Sequence, residues 1–176
     1  MNDYHQRVLN GELPLEEAQQ RVLTRVHNMR FLNNDYFWIN DNQEPYPVMI
    51  MHPTMPELNG MILDAPRFNR ASRIQFEKNG RVITFPNRNK NLFQAFVEVT
   101  RESGEGYVRY DWGKPTAEGV TEELFSKESF VKMFQPWGWI IGTGLYIDDI
   151  ENQMTQLHWR VFAAVVTILF LVLAMT

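Results

Sequence analysis

The chain has 176 residues, a formal net charge of −4 and no cysteine, with an isoelectric point near 5.6. That length suits one domain with a substantial core, and an acidic balance without any Lys/Arg block excludes a nucleic-acid surface, which needs clustered cations. Lacking cysteine, the chain has no disulfide framework, thiolate zinc site or cysteine nucleophile, and its redox compartment stays open.

"MNDYHQRVLNGELP" shows no basic segment followed by an apolar one, so no signal peptide is legible. Residues 1–12 read as a truncated membrane-proximal start. From Leu15 the apolar residues Ala18, Val22, Val26 and Met29 follow at steps of three and four, predicting a helix to Phe31 with one buried stripe. Pro14 suits its first turn, and Glu16 and Glu17 suit its positive end. "DYFWIN" reads as a strand, "DNQEPYP" as a turn and "VMIMHP" as a second short strand closed by Pro53. A punctuated loop follows. Asn79-Gly80 then offers a hairpin turn between "RIQFE" and "RVITF", and Leu92 to Glu102 has helical spacing. Three more strands, "GYVRYDW", "ESFVKMF" and "GWIIGTGLYI", are predicted, joined by a loop over "GKPTAEGVTEELFSK" and by the tight "QPWG" turn. This order describes an α+β domain, an antiparallel sheet with helices to one side.

After the last strand, Leu145, Ile147, Ile150, Met154, Leu157 and Val161 form a heptad-like stripe without proline or glycine. It runs into "VFAAVVTILFLVLAMT", which carries no charge. These residues reach roughly 24 Å as a helix, short of a ~30 Å hydrocarbon core. The tail reads as the start of a truncated transmembrane helix over 161–176, preceded by a juxtamembrane helix at 152–160. His158 and Trp159 would lie at headgroup level, and Arg160 would snorkel to the same interface. A strand passing into a span without a flexible joint suits a transmitter of movement; the alternative is a plain stalk.

"NDYFWINDNQEPYPVMIMHPTMPELNG", "GEGYVRYDWGKP" and "KESFVKMFQPWGWIIGTGLYIDDIE" together resemble the single Cache domain, the periplasmic input domain of bacterial methyl-accepting chemoreceptors and related transmembrane sensors. The resemblance spans residues 13–151. It implies a PAS-like fold with a long N-terminal helix, a ligand pocket beside the sheet, and small ligands such as acetate, propionate, pyruvate or lactate. It also implies an inner-membrane receptor with a periplasmic sensor, homodimeric at full length. Two departures stand out. Phe130 replaces the family's usual tyrosine, removing a hydroxyl from the expected pocket edge, and "TAEGVTEELF" lengthens the loop before Lys127.

The residues themselves point the same way. Strand alternation sends Tyr36 and Trp38 to one face and Phe37 and Ile39 to the other, and Tyr110 shares a face with Trp112. Buried phenols and indoles need partners, so two such pairs suggest apolar walls with tips aimed at a polar guest. A carboxylate there needs cations or donors. Arg30 offers a bidentate clamp, His52 one or two hydrogen bonds depending on pH, and Lys127 a point charge. Against these stand a dipole-matched arginine, a structural histidine and a surface lysine. Met51 is a candidate soft wall, although alternation sets it opposite His52, and Phe130 stands at the edge. Asp148 and Asp149 read as acids at a helix N-terminus, with no metal set, and "GTG" lacks the Lys-Ser/Thr of a phosphate loop, so neither metal nor cofactor is expected. Gly142 and Gly144 are expected to let a packed helix approach. No serine occupies a "GxSxG"-like turn, which disfavours a hydrolase built on His52 with Asp64 or Glu57. The rivals are therefore input to a kinase or cyclase, and a ligand-free structural or dimerisation module.

Overall fold

The computed structural model describes residues 1–32, 35–117 and 119–174. Helix α1 (Asn2–Leu9) precedes α2 (Leu15–Asn28). The strands are β1 (Arg30–Phe31), β2 (Asp35–Asp41), β3 (Met49–Met51), β4 (Asn69–Phe76), β5 (Val82–Thr84), β6 (Lys90–Asn91), β7 (Glu105–Thr116), β8 (Gly119–Phe134) and β9 (Trp139–Tyr146). Helix α3 (Leu92–Ser103) separates β6 from β7, and α4 (Ile147–Ala174) follows β9. One antiparallel sheet runs β1-β2-β9-β8-β7-β4-β5, with β3 added to β2 and β6 to β4.

Two cores form on the two faces of this sheet. On one face, α3 lays Leu92, Phe93, Phe96 and Val99 against Tyr36, Trp38, Ile74, Val108, Tyr110, Trp112, Val131 and Ile140. On the other, α2 brings Val22 and Val26 against Ile39, Met51 and Trp139. The middle of the expected stripe, Ala18, Val22 and Val26, is thus buried, but Leu15 and Met29 are exposed and the helix ends at Asn28 instead of Phe31. Met29 turns extended, and Arg30 and Phe31 pair with Tyr36 and Asp35 as β1. The Asn79-Gly80 turn joins β4 to β5. "QPWG" becomes one 3-10 turn closed by Gly138 at φ +62°, a left-handed conformation that glycine adopts without penalty.

One connection departs from expectation. The segment read as a loop before Lys127 is mostly strand, because β7 and β8 continue as a long hairpin whose pairing reaches Thr116↔Gly119. Its β-branched and aromatic residues Val120, Thr121 and Phe125 favour the pleat over a loop.

Gly142 and Gly144 also differ from the reading above. A Cβ on Gly142 would overlap the Trp38 indole, and one on Gly144 would overlap Ser129. The close neighbours are therefore the flanking strands, the Trp38 indole for Gly142 and Ser129 with the Glu128 carbonyl for Gly144, rather than a helix.

Helix α4 continues β9 without a break, as the heptad stripe implied, and exposes Ile150, Met154 and Leu157. Among the described residues no helix is long and apolar enough to cross a membrane. The span expected at 161–176 falls, apart from Phe162, on side chains outside the described residues.

Candidate functional site

The aromatic side of the sheet encloses a small chamber lined by Trp38, His52, Leu92, Phe93, Phe96, Tyr110 and Trp112. Its volume is about 10 Å³ measured at water centres, room for a single water. Strand alternation supplies the sheet side of the wall. Trp38 comes from β2 and Tyr110 and Trp112 from β7, with Tyr36 of β2 packed against Trp38 and His52, all four rings from the strands at 6% exposure or less. Trp38 is tilted on Phe96 at 5.4 Å, and Tyr110 meets Phe96 edge-on at 5.5 Å.

The roof is α3, set in place by Asn91. Its carboxamide oxygen accepts the N–H groups of Phe93 (2.9 Å) and Gln94 (3.1 Å), while its Nδ2 donates to the Leu63 carbonyl (2.9 Å). One side chain thus caps the helix and ties it to the preceding loop.

His52 is fixed by the "HPTMPELN" loop. Asn59 Oδ1 accepts the His52 N–H at 2.7 Å, and the Met55 N–H donates to His52 Nδ1 at 3.1 Å. An acceptor Nδ1 leaves the proton on Nε2. The ring lies 5.0 Å from Tyr36 and 5.9 Å from Trp112. Burial first, and then the charge of Lys127, lowers its pKa to about 3, so His52 is a neutral donor at ordinary pH.

Lys127 is wholly buried, and its Nζ has no hydrogen-bond partner. The nitrogen lies 4.2 Å above Tyr36, 4.7 Å above Tyr146 and 5.8 Å above Trp38, measured to ring centroids. Burial pulls its pKa down to about 7, partly opposed by Asp35. Two further buried donors also lack acceptors, Trp38 Nε1 and Trp112 Nε1. The Trp112 indole lies beside the Tyr36 phenol, which burial raises to about 12, but makes no hydrogen bond of acceptable geometry. By contrast Tyr110 Oη meets Ser129 Oγ at 2.9 Å, and Tyr146 donates to the Gly113 carbonyl at 2.6 Å. The surplus is of donors, the complement of an anion with several acceptor oxygens.

Six of the nine candidate residues therefore come together: Tyr36, Trp38, His52, Tyr110, Trp112 and Lys127. Three do not. Arg30 is exposed and donates to the carbonyls of His27 (2.5 Å) and Met29 (2.8 Å), capping the end of α2. Met51 belongs to the core beneath α2, because alternation turns it away from His52. Phe130 faces outward to Tyr107, since Lys127, Ser129 and Val131 take the inward positions of β8. The inward hydroxyl of β8 is thus Ser129, which meets the chamber-lining Tyr110. The readings from sequence omitted Leu92, Phe93 and Phe96 as walls, although the helical spacing of α3 held the signal. They also omitted Tyr146, whose inward position follows from the alternation of β9.

Asp148 and Asp149 lie in the first turn of α4, as expected, and both accept from Lys114 Nζ, at 2.5 and 2.6 Å.

With this geometry in view, comparisons with known proteins are informative. The Cache domain family profile matches residues 1–167. The methyl-accepting chemotaxis protein McpP of Pseudomonas putida is 36% identical over 146 residues, covering 83% of this chain and 22% of that protein. The sensor histidine kinase MctS of Rhizobium johnstonii is 27% identical over 138 residues, 78% of this chain and 24% of its own length. The chain thus spans less than a quarter of the curated relatives it matches. A structure described as the basis for carboxylic acid recognition by a Cache chemosensory domain superposes with a TM-score of 0.64 at 36% identity, covering 83% of this chain and 82% of that one. A periplasmic sensor domain of a chemotaxis protein gives 0.64 at 34% identity, with 83% and 84% covered.

Proposed function

This chain belongs to the Cache domain family, and we propose that it is the extracytoplasmic sensor of a transmembrane chemoreceptor whose aromatic chamber binds a short-chain carboxylate of the acetate, propionate, pyruvate or lactate class. The carrying observation is the set of buried donors without acceptors, Lys127 Nζ with the indoles of Trp38 and Trp112, beside neutral His52. Leaving such groups unpaired costs about 1–3 kcal/mol each, and a carboxylate relieves several at once. The apolar walls set the size limit. Because the chamber has room for one water, even a C2 acid displaces a wall, and binding thereby favours a different arrangement of the surrounding strands.

Lys127 pairs in register with Tyr146, the last residue of β9, and α4 follows at once. A displaced chamber wall is therefore passed to α4, which in the receptor continues into the membrane and on to a cytoplasmic signalling module. The match to a sensor histidine kinase supports a second reading of that output, kinase input in place of methyl-accepting signalling. Both readings share the same chamber.

Isothermal titration of the chain with C2–C4 carboxylates tests the ligand assignment. Saturable heat from at least one monocarboxylate is expected, lost on Lys127→Met. Absence of heat and of thermal stabilisation across the panel overturns it.

A further inference from the structure

Resting on the carboxylate reading, we infer that the ligand enters this chamber together with a proton, which Lys127 takes up as it becomes the counter-ion. The geometry around Nζ carries the inference. Among the described residues no ion pair includes Lys127, no acceptor meets its nitrogen, and three ring faces surround it. A buried ammonium without acceptor or counter-ion is disfavoured relative to the neutral amine, and an adjacent carboxylate reverses that preference.

The other charged and titratable groups facing this nitrogen do not replace the ligand. From β2, Asp35 acts on Lys127 through space without an ion pair, and its own carboxyl is pushed upward, chiefly by burial. Tyr36 on β2, Tyr110 on β7 and Tyr146 on β9 are phenols raised by burial, so they stay neutral. His52, in the loop after β3, stays neutral too and is disfavoured as a cation by Lys127. At the edge of the group, Lys114 on β7 is occupied by Asp148 and Asp149 of α4. The empty chamber therefore offers Lys127 no partner in contact, and the incoming carboxylate is the first.

The sign follows from the downward shift of the ammonium to about 7 in the empty chamber. Below that pH Lys127 is already charged, and binding takes up little proton. Above it the neutral amine must be protonated, so affinity falls by up to about tenfold per pH unit until the pKa of the complex is passed.

The experiment is titration with propionate at pH 5.5 and pH 8.5, in buffers of different ionisation enthalpy, for the unmodified chain, Lys127→Met and Lys114→Gln. Expected at pH 8.5 is a buffer-dependent heat equivalent to about one proton taken up per ligand, falling below about 0.2 at pH 5.5. Lys114→Gln should retain that dependence, and Lys127→Met should lose it with most of the binding. Binding with buffer-independent heat at pH 8.5 overturns the proton linkage and leaves the carboxylate reading intact. A dependence that persists in Lys127→Met or disappears in Lys114→Gln also overturns it, by assigning the proton elsewhere. Absence of heat from the whole carboxylate panel overturns both.

Discussion

Replacing Lys127 by methionine should make the empty domain more stable while destroying its ligand response. In the folded chain burial lowers the ammonium from 10.5 to about 7, whereas the unfolded chain keeps the ordinary value. Between those limits the unfolded state binds more protons, so stability rises with pH through the window and the full cost is present below about pH 7. Lowering the ammonium that far costs on the order of 5 kcal/mol. Methionine removes that cost at similar volume. It gives up the cation–ring contacts to Tyr36 and Tyr146, about 1–2 kcal/mol together, and fills the space less closely, about 1 kcal/mol. The net gain is about 2 kcal/mol at pH 7, which raises the melting temperature by about 4–8 °C for a chain of this size. At pH 10.5 the folded lysine is neutral and half of the unfolded lysine has lost its proton, so the cost falls below about 1 kcal/mol and the gain should vanish. Thermal melts of both chains at pH 7 and pH 10.5 read the difference directly. A variant less stable at pH 7, or a difference that ignores pH, would show that Lys127 bears no burial cost, and the argument from its unpartnered nitrogen would fall.

His52 should make the domain acid-labile in a separate window. With a folded value of about 3 against 6.5 unfolded, stability drops as pH falls from about 6.5, by roughly 3 kcal/mol at pH 4.5. Urea midpoints at pH 7.5 and 4.5 should therefore converge in His52→Gln relative to the parent, and equal pH slopes would refute it. Gly142→Ala should drive a methyl into the Trp38 indole and cost about 1–3 kcal/mol, read as a lower urea midpoint with an unchanged slope. An unchanged midpoint would mean that the indole moves freely, contrary to a rigid chamber floor.

The sheet was legible because its strands alternate. "DYFWIN" and "GYVRYDW" each assign their rings to a face, and the observed sheet places Tyr36, Trp38, Tyr110 and Trp112 on one side together. The same rule already set Met51 against His52, and the structure follows the alternation. Arg30 was harder to read. Its sequence position continues a helical pattern, but the chain turns extended at Met29, and a local bond to two carbonyls outcompetes a distant ligand. Phe130 depends on the register of β8, which one-dimensional reading fixes only if a neighbouring inward residue is known. Lys127 was one candidate cation among three. Its complete burial comes from β7, β9 and β2 closing around it, pairings separated by many residues in the chain.

The same pairings join the chamber to the helix that leaves it. Tyr146 presents its ring to Lys127 at 4.7 Å and donates its hydroxyl to Gly113. The next residue on β7, Lys114, holds both aspartates in the first turn of α4. A charge change at Lys127 alters its contact with the Tyr146 face, and Tyr146 cannot tilt without moving either the Gly113 carbonyl or the start of α4. These contacts run through two hydrogen-bonded strands and one forked ion pair, with no flexible segment among them. On the proposed reading, the energy available for moving α4 is the difference in ligand affinity between its two positions, and Lys127 is where the carboxylate would contribute most of that difference.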